Sequence, residues 1–176
     1  NTVANDENSG FGGTGIVGTI NAFGSIWVNG IEIDYPEDVK IESNLKGADE
    51  HLKLGQAVIL ETDKELNKFN HPTTQSIKVY YPFAGEIQQV KDNQLLINDQ
   101  WINFDKSTLR DKNIALKKGS FIAINANQDN AKNWHATRLN LNPKNKVINQ
   151  PTFKADFSEK VNNVVIEARM SGMQNR

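Results

Sequence analysis

The sequence predicts an all-β protein made of two tandem small OB-like barrels with five strands each, and three observations lead to this fold class. Short apolar runs alternate with turn residues along most of the chain. Glycines lie inside two of these runs, at points where the strands of a small barrel must bend. The segment 16–62 returns in diverged form at 83–126, and this internal repeat indicates two copies of one unit.

The first repeat is predicted at residues 15–74. It begins with a strand over 16–22 that contains Gly18, followed by a turn and a second strand over 26–28. Asn29 and Gly30 supply the two positive φ angles of a type I′ hairpin turn, which leads into a third strand over 31–34. An edge-like segment at 39–42 and a strand at 57–62 complete the copy.

The second repeat is predicted at residues 75–143, with strands at 76–81, 83–90, 94–97, 101–104, 121–126 and 134–141. Gly85 occupies the place of Gly18, and the pair Ile97-Asn98 answers Val28-Asn29. We therefore predict structural roles for Gly18, Gly85, Asn29 and Gly30.

The two ends of the chain are predicted to lie outside the repeats. Residues 1–14 are predicted to form a flexible tether, and residues 144–163 a polar linker. Residues 164–176 are predicted to add a strand that either completes a barrel or starts a third repeat. A helix remains an alternative there, because Asp156 and Glu159 have the spacing of a capping box.

Composition excludes several classes of function. Lys plus Arg number 20 against 21 Asp plus Glu in 176 residues, so no basic surplus points to nucleic acid. The absence of cysteine excludes disulfides and thiol chemistry. No apolar run is long enough for a transmembrane helix.

No catalytic or metal-binding motif is recognisable. His51, His71 and His135 are far apart and form none of the short histidine spacings of metal sites. A group such as Asp34, Glu37 and Asp38 lacks the pattern of a calcium loop. We therefore predict no enzyme activity, no catalytic residue, no metal site and no cofactor.

Aromatic residues beside cationic ones are the best candidates for a ligand surface. OB-type barrels stack bases or sugars on a strand face and its flanking loops. Core packing is the alternative for each tryptophan. The candidate ligand-binding residues are Trp27, Trp101, Tyr80, Tyr81, Lys78 and Arg110.

The segment GGTGIVGTINAFGSIWVNGIEID, residues 12–34, resembles the opening of the DUF5666 family, whose members tend to share its GGTG, GTI, FGS and VNG motifs. Asn21-Ala22 departs from the Thr-Gly that the family often has there. The likeness is dense over this segment and thinner through the second copy. It implies a bacterial envelope protein, periplasmic or anchored at the outer membrane or extracellular, whose Asn1 follows a removed signal and a lipidated Cys.

The function expected from these features is a non-enzymatic interaction module of the cell envelope. Its ligand is expected to be a protein, a glycan or an extracellular polymer, and exposed strand edges suit self-association. The alternatives are a tandem OB protein that binds single-stranded nucleic acid and a metal-dependent hydrolase. Near-neutral charge disfavours the nucleic acid.

Overall fold

A computed structural model of the chain describes residues 15–19, 25–28, 30–45, 50–149 and 165–166. Every regular element in these ranges is a β-strand, which confirms the all-β class. The predicted tether, residues 150–163 of the predicted linker, Asn29 and most of the predicted C-terminal strand lie outside the described residues. The strands are β1 (Gly15–Thr19), β2 (Ile26–Val28), β3 (Ile31–Ile33), β4 (Lys40–Ser43), β5 (Ala57–Glu61), β6 (Ser76–Tyr80), β7 (Phe83–Lys91), β8 (Gln94–Ile97), β9 (Gln100–Asn103), β10 (Leu109–Arg110), β11 (Phe121–Gln128), β12 (Trp134–Leu141), β13 (Ile148–Asn149) and β14 (Val165–Ile166).

The second half of the chain forms a closed five-stranded barrel. Its strands follow the order β7-β8-β9-β12-β11, and β11 pairs again with β7. All neighbours are antiparallel except β9 and β12, whose parallel pairing places Trp134 opposite Ile102 and closes the barrel. The short strand β10 pairs in parallel with Arg138 and Leu139 of β12, beyond the residues that pair with β9.

Alternation along the strands fills the barrel with apolar side chains. Leu95 and Ile97 of β8 are fully buried, whereas Leu96 between them is partly exposed on the outside. The ring of Phe83 meets that of Trp134 edge to face at 5.1 Å, a favoured geometry for two aromatic rings in a core. Trp134 is therefore a core residue.

The first half forms an open sheet and a hairpin within the described residues. The sheet has the order β14-β1-β5-β6-β4, and β2 pairs with β3 alone among the strands of the described residues. Two closed barrels are thus not confirmed: the described residues contain one. Residues 20–24, between β1 and β2, lie outside the described part.

The pairings of the first half nevertheless parallel those of the barrel. β5 lies antiparallel between β1 and β6 as β11 lies between β7 and β12, and β4 runs parallel to β6 as β10 does to β12. An isolated parallel bridge from Asp34 to Thr73 lies where β9 meets β12 in the barrel. Strand β6, which the predicted boundary at residue 75 assigns to the second repeat, pairs with strands of the first.

Each half also receives a short strand from the C-terminal part of the chain. β13 pairs antiparallel with Phe83 and Ala84, and β14 pairs parallel with Ile16 and Val17. The repeat aligns these two positions of β1 and β7, so both extra strands join the first strand of a half at the same place. β14 therefore extends the first sheet.

A glycine and an asparagine fix the place where β13 joins β7. Gly85 has φ +153°, and an added Cβ would lie 3.1 Å from Oδ1 of Asn98. The Asn98 amide donates hydrogen bonds to the carbonyls of Ala84, at 3.1 Å, and Ile148, at 2.6 Å. Asn98 and Asp99 have φ of 50° and 62°, as a type I′ hairpin turn requires.

The hairpin at Asn29-Gly30 has the predicted length. Val28 pairs with Ile31, so two residues form the turn, and Gly30 has φ +79° with open space around its Cα. A side chain at Gly30 would meet conformational strain without a steric clash.

A charged network joins the two halves. The guanidinium of Arg138 contacts Asp111 at 2.5 Å and donates to the Leu54 carbonyl at 3.2 Å, while Lys53 pairs with Asp111 at 3.2 Å. Gly55, with φ +84°, lies against Thr137 and Arg138 of β12. Its carbonyl accepts a hydrogen bond from the hydroxyl of Thr137 at 2.6 Å. Burial alone would raise the pKa of Asp111, but the Leu141 amide, Arg138 and Lys53 hold this pKa below its ordinary value.

Asp111→Asn should destabilise the protein by about 3 kcal/mol near neutral pH, because it leaves the Arg138 charge, only 12% exposed, without its anion. The lowered pKa of the folded state means that Asp111 stabilises the protein above the ordinary pKa of 3.8. The contribution is lost as pH falls below that value. Urea unfolding at neutral and acidic pH measures the stability loss and its pH dependence. If the free energy of unfolding of the wild type exceeds that of the variant by the same amount at acidic pH, the stabilising role of ionised Asp111 is contradicted.

Asn98→Asp should cost about 3 kcal/mol, because a carboxylate replaces the amide that donates to two carbonyls and faces them with its negative charge. Asp99→Asn is the matched control, since it changes an exposed neighbour in the same turn and should alter stability by less than about 0.5 kcal/mol. Urea unfolding of both variants tests this. Equal effects would show that the turn, and not the Asn98 amide, carries the stability.

Candidate functional site

The six predicted ligand-binding residues are spread over several strands. Trp27 lies on β2, Trp101 on β9 and Arg110 on β10, whereas Lys78 and Tyr80 share one face of β6. These strands belong to three different sheets.

Tyr81 requires a correction, because the structure places it in the core. It is 3% exposed and packs in the apolar cluster of the first half. Its hydroxyl contacts the Glu50 carboxylate at 3.1 Å, and burial together with the Glu50 charge raises the pKa of Tyr81 far above its ordinary value. A ring held in this way cannot stack on a ligand from solvent. Burial also raises the pKa of Tyr80 to about 12.

Trp101 lies on the outer face of the barrel, where β7, β8 and β9 run side by side. It pairs across the ladder with Leu96, which is itself paired with Gln89. The ammonium of Lys91 lies 5.3 Å from the centre of the Trp101 ring. A partly exposed indole thus lies on a mainly polar part of the outer barrel surface.

Amide side chains surround this indole. The Gln94 amide donates to Oδ1 of Asn103 at 2.9 Å, on the rows next to Trp101 and Leu96. We use the name platform for the outer-face residues Gln89, Lys91, Gln94, Leu96, Trp101 and Asn103. Each amide can both donate and accept hydrogen bonds, so the platform offers an apolar centre within a neutral, polar frame.

Arg110 lines a separate groove on the barrel. This groove has a volume of 620 Å³ and also includes Asn93, Asp105, Lys106 and Ser107. The Arg110 guanidinium lies 5.5 Å from the ring centre of Phe104, which forms the floor. The groove carries charges of both signs, because Asp105 lines it together with Lys106 and Arg110.

One cluster of potential metal ligands was missed by the search for spacing motifs. Glu32, Asp34 and His71 place a donor atom each within 4.8 Å of one another. The two acidic residues flank the end of β3, and His71 comes from the connection between β5 and β6. Thirty-seven positions separate Asp34 from His71, so no local motif could have indicated the cluster.

The carboxylates in this cluster are held by neighbouring polar groups. The hydroxyl of Ser25 donates to Glu32, and the Asn67 amide donates to Asp34 at 2.7 Å. Burial alone would raise the pKa of Asp34, but hydrogen bonds from Asn67 and His71 hold this pKa below its ordinary value. Asp34 is therefore ionised at neutral pH.

Within the described residues, no helix is long and apolar enough to cross a membrane. No curated protein matches the chain with significance. The model of the family described as "Domain of unknown function (DUF5666)" matches residues 84–140.

This match supports the expected family, but it lies on the second repeat and not on residues 12–34. Residues 84–140 run from the second residue of β7 to the penultimate residue of β12, and so include nearly the whole closed barrel. The part of this chain that is similar to the DUF5666 family is therefore the closed barrel.

Proposed function

We propose that this protein is a non-enzymatic binding module of the bacterial cell envelope, and that its platform binds a glycan. The observation that carries the ligand class is the partly exposed Trp101 among the amides of Gln94, Gln89 and Asn103. A sugar ring has one apolar C–H face and a rim of hydroxyls. An indole matches the face, and amides match the hydroxyls.

The barrel supports this proposal through its topology. Five strands close with one parallel pair, and OB-type barrels use the face of their second and third strands for oligosaccharides or oligonucleotides. In this chain those strands are β8 and β9, which carry most of the platform. We further propose that the first half is a second OB-like barrel, because its strand pairings parallel those of the closed one.

Charge favours a neutral ligand over a nucleic acid. The chain has a formal net charge of −1, and only Lys91 is cationic on the platform. Proteins that bind single-stranded nucleic acids combine stacking aromatics with a basic groove along the backbone. The envelope location rests on the family resemblance, and the exposed strand edges of the sheets suit additional protein partners or self-association.

Trp101→Ala should weaken glycan binding roughly ten- to hundredfold, because one stacked ring contributes about 1–3 kcal/mol. An array of polysaccharides from bacterial envelopes identifies the ligand, and calorimetry with the best binder measures the loss. Phe69→Ala is the matched control: this aromatic ring is 65% exposed on the β5–β6 connection and should not affect binding.

Three results would contradict the proposal. If no polysaccharide of the array binds, a glycan is not the ligand. If Trp101→Ala and Phe69→Ala lose equal affinity, the platform is not the binding surface. Salt-sensitive binding to single-stranded DNA in place of a glycan would favour the nucleic-acid alternative.

A further inference from the structure

Glu32, Asp34 and His71 form a mixed cluster of nitrogen and oxygen donors in the first half of the chain. The imidazole lies between the two carboxylates, with Nδ1 at 3.1 Å from Asp34 and Nε2 at 3.5 Å from Glu32. All three side chains are half-buried, with between 27% and 32% of their surface exposed. They are therefore accessible from solvent but held by the surrounding protein.

The charge of this cluster is not balanced by basic residues. Among the described residues, the ion pairs of Glu32 and Asp34 involve His71 and neither Lys nor Arg. Two carboxylates and an imidazole therefore offer oxygen and nitrogen donors to a cation, with no Lys or Arg of the described residues paired to them.

The distances suit a small transition-metal ion. One donor atom from each residue, with a single imidazole nitrogen of His71, lies within 4.8 Å of the other two. Ligands at about 2.0–2.2 Å from a tetrahedral Zn²⁺ are separated by roughly 3.3 Å, so small side-chain shifts bring the three donors around one ion. Ca²⁺ and Mg²⁺ prefer six or more oxygen ligands, whereas imidazole favours Zn²⁺ and its neighbours in the first transition row. We propose that Glu32, Asp34 and His71 bind one divalent transition-metal ion of the Zn²⁺ type.

Neighbouring polar side chains hold the carboxylate ligands by hydrogen bonds, as is usual in protein metal sites. Ser25 holds the second oxygen of Glu32, and Asn67 holds Asp34. The side-chain oxygen Oδ1 of Asn67 also accepts hydrogen bonds from the backbone amides of Phe69 and His71. These bonds fix the loop that carries the imidazole. Such supporting contacts orient the ligands, and removing one costs about ten- to hundredfold in metal affinity.

Calorimetric titration of the full chain, purified without a histidine tag, with ZnCl₂ tests the site. We expect one equivalent of Zn²⁺ to bind, and Mg²⁺ at the same concentration not to compete. Glu32→Gln and His71→Ala should abolish this binding, and Asn67→Ala should weaken it about ten- to hundredfold. Circular dichroism shows whether each variant retains its fold, and Glu32→Gln, which conserves shape, is the decisive one.

His135→Ala is the matched control. His135 pairs with Asp129 at 2.9 Å, but no second carboxylate lies with them in a candidate metal cluster of the described residues. This variant should bind Zn²⁺ as the wild type does. The proposal is overturned if the wild type binds no Zn²⁺ at millimolar concentration, or if a folded Glu32→Gln variant binds it unchanged. Loss in His135→Ala alone would assign the metal to the other histidine.

Discussion

The parallel pairing of β9 with β12 is the constraint on which the barrel depends. Without it, the strands β12-β11-β7-β8-β9 would form one open sheet, with β9 as an unpaired edge. Closure gives every strand an inside and an outside. Phe83, Ile102 and Trp134 consequently fill the interior, and Trp101, which neighbours Ile102 in sequence, is directed outward.

The internal repeat places a glycine on the first strand of each half and an Asn-containing turn after its second strand. Gly85 leaves room for Asn98, whose amide binds both the first strand and β13. The first half has Gly18 on β1 and a two-residue turn at the place of Asn98, and β14 joins β1 where β13 joins β7. The C-terminal part of the chain thus contributes one short strand to each half.

The sequence was sufficient for the longer strands and their turns, because alternation, interior glycines and Asn-Gly signals are local. It did not indicate the two-residue strands β10 and β13, and β13 lies inside the segment predicted as a linker. It could not assign β6 to its sheet, since Ser76–Tyr80 is followed at once by the next repeat and only its pairing with β5 decides. Tyr81 looked like a surface aromatic because nothing local indicates its burial against Glu50. Glu32, Asp34 and His71 meet only through the fold, so spacing motifs could not find them.

The most direct test of the account is to map the ligand on the folded chain by amide chemical shifts in NMR spectra. We predict that an envelope glycan that binds will shift amides of β8, β9 and the second half of β7, around Trp101. The chemical shifts of amides in the Arg110 groove and in the β5–β6 connection should not change. Shifts confined to either of those regions, with the platform unchanged, would contradict the assignment of the outer barrel face as the binding surface.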